Sequence, residues 1–187
     1  DAMLSTPLAT AASFVFLFFL FSSFLASTGA GQFFIDLALG LAGGTRGGPA
    51  KVAVIGSALF GMISGSSSAN VVASGTFTIP MMIKVGYSPR FASAVEAVAS
   101  TGGQMTPPIL GAAAFIIAEY VNVPYIEVAK AAAIPAFAAY AGLLWITHVE
   151  ACKLGLRGLS KSELPSFWST LKEGLHFLIP ICMLLYE

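Results

Sequence analysis

Every side chain from Val52 to Ile83 is uncharged, and the residues that bracket the stretch, Lys51 and Lys84, are both basic. So long an apolar run belongs in a core or a bilayer. Its centre contradicts that simplicity. Residues 63–72 read ISGSSSANVV, with one Gly, four Ser and one Asn in ten positions. A fold for this chain must explain basic ends, apolar flanks and a polar middle together.

Composition decides the solvent. The chain is 57% hydrophobic and 10% charged, with a mean hydropathy of +0.85. Soluble domains carry about 25% charge, so these residues describe an all-α integral membrane protein. Net charge is zero, which offers no basic surface for nucleic acid. Cys152 and Cys182 form no CxxC pair and have no clustered His, so neither a disulfide framework nor a zinc site is expected. The first apolar run leads straight into more membrane sequence, so it does not read as a cleaved leader. The chain ends partway into another apolar run and is expected to be a piece of a longer protein.

Pro7–Ser27 has the length to span a ~30 Å hydrocarbon core. Residues 31–44 are too short to span and amphipathic around Asp36, which suits an interfacial or connecting arm. After a polar turn at 45–51 come Ala50–Lys84, a turn at 86–89, and Arg90–Asn122, which is interrupted by TGGQMTPP at 101–108. A short amphipathic segment (123–130), a span (Ile134–Cys152), a polar loop (153–172) and the start of another span near Leu175 complete the chain.

The positive-inside rule orients these segments. Loop 153–172 carries Lys153, Arg157, Lys161 and Lys172 and marks the cytoplasm. Counting back through the spans puts Arg90 and Lys84 on that side and leaves Lys130 outside. Arg46 and Lys51 lie at the other end of the 50–84 segment. If both its ends are cytoplasmic, it cannot cross once. Each half, 50–63 and 69–83, would be about 21 Å long at 1.5 Å per residue. The expectation is a re-entrant hairpin that turns at Ser64–Ser68.

A turn at membrane depth must be buried in protein or line a wet cavity, because lipid cannot satisfy its backbone. One half-helix ends there with free carbonyls and the next begins with free N–H groups, so both cations and anions find complementary dipoles. The break at Gly102-Gly103 and Pro107-Pro108 lies about 18–27 Å from its cytoplasmic start, a depth similar to that of the hairpin tip. Facing breaks of this kind point to a transporter's ion and substrate site, with hydroxyl and carbonyl oxygens suited to Na⁺. The plain alternatives stand beside this. GMISG at 61–65 is a helix-packing motif, and a proline break is often a structural kink. Glu96 can bias the field for a cation, anchor the hairpin, or pair for packing alone. Asp36, Glu119 and Glu127 fall near interfaces and read as solvated; His148 and His176 read as interfacial aromatics.

The run from Gly47 to Tyr120, with SGSSSAN, IPMMIKVGYSPRFASAVEA and STGGQMTPPILGAAAF in order, resembles the large membrane subunit of TRAP (tripartite ATP-independent periplasmic) transporters, and within them the TAXI branch. The resemblance implies an elevator-type fold of two inverted repeats, of which this chain would hold the first. It would then divide into a scaffold helix and arm (1–49), a transport part (50–122, hairpin 50–84 and broken helix 90–122), and an arm helix, span and cytoplasmic loop (123–187). It implies Na⁺-coupled uptake of small carboxylates across a bacterial or archaeal inner membrane. The partners implied are a TAXI-type periplasmic binding protein and a small membrane subunit, often fused to the large one. Carried over by motif, Ser64, Gly65, Ser66, Ser67, Asn70, Thr101, Gly102, Gly103 and Thr106 would hold Na⁺. Ser67, Ser68, Asn70, Gln104, Met105, Thr106 and Pro107 would face the substrate. No organic cofactor and no enzymatic activity are implied. An intramembrane serine protease, a channel subunit and a purely structural subunit are the rival readings.

Overall fold

The computed structural model describes residues 12, 16–160 and 164–177. Eight α-helices follow one another among them: α1 (Phe16–Ser27), α2 (Ala30–Ala42), α3 (Gly48–Ser64), α4 (Ser67–Lys84), α5 (Pro89–Gly102), α6 (Ala112–Val121), α7 (Tyr125–Lys153) and α8 (Phe167–Glu173). A single 3₁₀ turn, Gly103–Met105, follows α5. The boundaries have local causes. Ser66 and Ser88 cap α4 and α5 by accepting the N–H groups of Ala69 and Phe91. Pro89 opens α5, where its missing N–H costs nothing. Asn122 ends α6 at φ 56°, its N–H turned back to the carbonyls of Ala118 and Glu119.

Helices α3 and α4 form a tight antiparallel hairpin, with α5 packed against both. Small residues make this possible. Ala50, Ala53, Ala92 and Ala99 are fully buried with Val54, Val95 and Met82 in one cluster, and small side chains let apolar helices approach closely. Helix α2 lies along α3, with Phe33, Phe34 and Leu37 packed on Phe60 and Ile63.

The basic ends converge. Tyr87, in the turn between α4 and α5, reaches the Thr147 carbonyl of α7 (3.3 Å). Arg46, just before α3, lies 3.8 Å from the Cys152 sulfur at the end of α7. The Leu159 N–H, past α7, donates to the Gly43 carbonyl. The start of α3, the end of α4, the start of α5 and the end of α7 therefore share one end of the molecule. Arg46, Lys51, Lys84, Arg90 and Lys153 gather there, as the charge pattern required.

Several segments differ from the sequence-based expectation. The hairpin arms are 17 and 18 residues long, about 25 and 27 Å, because helix continues to within two residues of the turn; they are longer than expected yet still under the ~30 Å of a hydrocarbon core. The segment 31–44 contributes α2, whose Phe33, Phe34, Ile35, Leu37 and Ala38 are buried against the rest of the protein while Gln32 and Leu41 stay exposed. Residues 125–130 and 134–152 do not form separate arm and span. They run as one 29-residue helix straight through Pro135. Among the described residues α7 is the one helix long and apolar enough to cross a membrane, and its Ile134, Phe137 and Trp145 stay largely exposed. Part of Pro7–Ser27 and most of the span begun near Leu175 lie outside the described residues.

Burial pushes the Tyr87 phenol up to about 12, helped by the charge of Glu150. A phenol so raised stays neutral where the unfolded chain's would ionise. Its share of stability is whole below the ordinary value of 10.0 and is lost as pH climbs from there toward 12. We expect Tyr87→Phe in the full-length protein to cost about 1 kcal/mol at neutral pH and to flatten this alkaline loss. Melting temperature against pH in detergent checks both.

Candidate functional site

Two interruptions of helix meet. The first is the hairpin turn, where α3 ends in Gly65 at φ 57°. Only glycine adopts that left-handed conformation at little cost, and here the neighbourhood forbids a side chain as well. A Cβ on Gly65 would come within 2.8 Å of the Leu110 carbonyl oxygen. The second interruption is the stretch from Gly103 to Gly111 between α5 and α6. The two are stitched together by the Ile109 N–H on the Met62 carbonyl (3.2 Å) and the Gln104 amide on the Ser67 hydroxyl (2.7 Å).

Every backbone N–H from Thr106 to Gly111 has an acceptor. Pro107 and Pro108, joined by a cis peptide, bring no N–H. The Thr106 N–H donates to Gly103 O, Ile109 to Met62 O, and Gly111 to Gln104 O. The Leu110 N–H donates to the Tyr125 hydroxyl, which in turn donates to Pro108 O, both at 3.0 Å. A second tyrosine of α7, Tyr140, holds the start of the break. Its hydroxyl donates to Ala99 O (3.1 Å) and lies 3.3 Å from Thr106 Oγ1. Tyr140 is one position past the centre of α7. The break therefore begins halfway along the helix that is long enough to cross a bilayer.

Helices α3 and α5 touch backbone to backbone just below the tip. A Cβ on Gly61 would stand 2.5 Å from the Gly103 Cα. Beside this contact lies Asn70, fully buried, its amide donating to the Ser57 carbonyl (2.8 Å). One helical turn further from the tip is Glu96, also fully buried. Ser57, Ser74 and Ser100 come within 3.1, 2.5 and 3.0 Å of its Oε1, and Thr78 within 2.5 Å of Oε2. Ser74 also reaches the Asn70 carbonyl at 2.7 Å. A chain of polar contacts thus runs from Glu96 through Ser74 and Asn70 to the Gly61–Gly103 contact.

The residues expected at the site divide. Ser64, Gly65, Asn70, Gly102 and Gly103 are buried at the meeting of tip and break; Ser66, Ser67, Thr106 and Pro107 are half-buried there; Ser68, Gln104 and Met105 are exposed on it. Thr101 faces outward from α5, and its hydroxyl is bonded back to Ala97 O (2.7 Å). Ser64 stands apart from the rest. It is 6% exposed, and its hydroxyl oxygen is buried without a hydrogen-bond partner. His148 lies 3.7 Å from Cys152, and His176 stacks on Phe177. Ser57, Ser74, Thr78, Ser100, Tyr125 and Tyr140 were not legible as site residues. Asn70, Ser74 and Thr78 do repeat every four residues along one helix face, as do Glu96 and Ser100, and that spacing was the available signal. The tyrosines gave none.

Residues 1–186 match the family model described as "Tripartite ATP-independent periplasmic transporter, DctM component". The chain is 38% identical over 106 residues to the C4-dicarboxylate TRAP transporter large permease protein DctM of Vibrio cholerae, covering 57% of this chain and 23% of that protein. It is 28% identical over 169 residues to its namesake from Rhodobacter capsulatus, covering 84% and 38%. The ectoine TRAP transporter large permease protein TeaC of Halomonas elongata is 36% identical over 77 residues, covering 41% and 18%. The chain thus spans well under half the length of the curated relatives it matches.

Gly61→Ala should force α3 and α5 apart and destabilise the protein by about 1–3 kcal/mol, the usual cost of overpacking. Tyr125→Phe should cost a similar amount, about 1–3 kcal/mol, by leaving the Leu110 N–H and Pro108 O unpaired. Thermal unfolding of the full-length variants in detergent measures both.

Proposed function

Because the chain belongs to the DctM-component family of tripartite ATP-independent periplasmic transporters, we propose that it is part of the large membrane permease of a Na⁺-coupled importer of small carboxylates. Relatives are named for C4-dicarboxylates and for ectoine, and a small organic acid is the class we carry over. In this reading the protein sits in the inner membrane with its basic end in the cytoplasm. It takes its substrate from a periplasmic binding protein, of TAXI type, and works with a small membrane subunit, fused to it as in that branch. The α3–α4 hairpin is re-entrant, and it moves with the broken helix as an elevator against a scaffold that includes α1.

The observation that carries this reading is the orphaned Ser64 hydroxyl. A buried hydroxyl without a partner costs about 1–3 kcal/mol unless something else completes it. Ser64 closes α3, where the carbonyl end of the helix favours a cation. The Gly65 and Leu110 carbonyl oxygens crowd the same turn. Hydroxyl and carbonyl oxygens are the ligands that hard cations take. Na⁺ is here a transported ion. Its binding would draw the tip and the break together and order the face formed by Ser67, Ser68, Gln104, Met105 and Pro107, with Asn70 buried behind it, where the carboxylate would sit. Ser66, Gly102, Gly103 and Thr106 complete the ion-binding set in this reading; Thr101, expected there from the motif, faces away with its hydroxyl on Ala97 O.

Ser64→Ala breaks no hydrogen bond and removes an unsatisfied hydroxyl, so it should not lower the melting temperature without Na⁺, while raising the half-saturating Na⁺ concentration about tenfold, the equivalent of 1.4 kcal/mol. The measurement is uptake into liposomes by the full-length protein with its binding protein, under an inward Na⁺ gradient, an inward K⁺ gradient or none. Uptake indifferent to Na⁺ would refute ion coupling. Uptake that needs Na⁺ but ignores Ser64→Ala would move the ion elsewhere.

A further inference from the structure

We propose that Glu96 is a positioning residue, a buried clamp whose two carboxylate oxygens hold α3, α4 and α5 in one register and thereby keep the hairpin tip aligned with the break. Four observations support it. Glu96 is 0% exposed. Its carboxyl oxygens meet four hydroxyls, drawn from all three helices: Ser57 from α3, Ser74 and Thr78 from α4, and Ser100 from its own α5. Each hydroxyl is itself fully or almost fully buried. A Cβ on Gly75 would meet the Glu96 side chain at 3.2 Å, so α4 gives up a side chain to let the carboxylate in.

Alanine-lined helices can slide past one another, because small side chains present shallow ridges. A slip of one residue along α5 would move Gly103 off Gly61 and carry the break away from the turn. The carboxylate resists this slip directionally. Its oxygens must reach α3 and α4 at once, and losing one partner leaves a buried polar group unsatisfied. Ser74 transmits the constraint. It touches Glu96 on one side and Asn70 on the other, and Asn70 lies against the Gly61–Gly103 contact. Glu96 acts through these groups and touches neither ion nor substrate.

The test uses the full-length protein with its native cysteines replaced by serine and spin labels on Ala69→Cys and Arg90→Cys. Both positions are exposed, and they stand about 20 Å apart along α4 by helix rise. The width of the label–label distance distribution reports whether α4 and α5 hold one register. Na⁺ half-saturation of uptake is measured in parallel and rests on the ion-coupled reading above; the distance arm does not. Glu96→Ala and Thr78→Val, which removes the α4 hydroxyl at Oε2, should broaden the distribution and raise half-saturation about tenfold, the loss expected when a buried group forfeits its partner. Glu96→Gln keeps the shape and one acceptor oxygen, and it should restore most of both.

Unchanged distributions in Glu96→Ala and Thr78→Val would overturn the clamp. So would Glu96→Gln raising half-saturation as much as Glu96→Ala with no broadening, since that pattern assigns Glu96 to the field around the ion. Should Glu96→Ala fail to fold, Thr78→Val, which keeps the side chain's shape and removes one arm to α4, decides the question alone. Wild-type uptake indifferent to Na⁺ would sink ion coupling while leaving the distance result to stand or fall on its own.

Discussion

A helix broken in apolar surroundings frees backbone groups that neither lipid nor hydrocarbon side chains can satisfy, and the tertiary structure around 103–111 is arranged to satisfy them. The N–H groups of Thr106, Ile109, Leu110 and Gly111 each find an acceptor, and the two prolines between them bring none to place. Two of these acceptors, Met62 O and the Tyr125 hydroxyl, come from outside the break. The hairpin must therefore press its turn against the break, and α7 must run alongside. Remove either neighbour and the interruption of α5 becomes costly.

The same need explains the polar residues in the hairpin arms. Close approach of α3 and α5 requires glycine at both 61 and 103, and glycine contacts are shallow. Polar groups supply the direction that small side chains lack. Asn70 ties α4 to the Ser57 carbonyl, and Glu96 gathers hydroxyls from three helices. Against this background of satisfied groups, the unpartnered Ser64 hydroxyl is an exception at the one place where two helix breaks meet.

Much of this was legible from residue types. Basic residues at both ends of an uncharged stretch pointed to a chain that turns back within it, and the two helices are joined by a turn at Gly65-Ser66. Gly102-Gly103 and Pro107-Pro108 announced a break, and α5 stops at Gly102. Both signals are local: charge cannot remain in hydrocarbon, and proline cannot donate. The long helix α7 was divided in the sequence into a short amphipathic segment, 123–130, and a span, Ile134–Cys152, but the two are one helix: proline inside a helix is tolerated when the surroundings hold the chain on either side, and Glu127 and Lys130 pair with each other at 2.8 Å.

The sequence by itself determined that the chain belongs in a membrane, which end carries the positive charge, where the hairpin turns and where the second helix breaks. These follow from transfer energies and backbone chemistry, which each residue carries wherever it is placed. Only the tertiary structure decided that tip and break face each other, that Tyr125 and Tyr140 complete the break, that Glu96 is held by hydroxyls from three helices and that Ser64 is left over. Those outcomes depend on which helix faces which, and at what register. A hydroxyl can bond its own helix, a neighbour or nothing, and its identity in the chain is the same in all three cases.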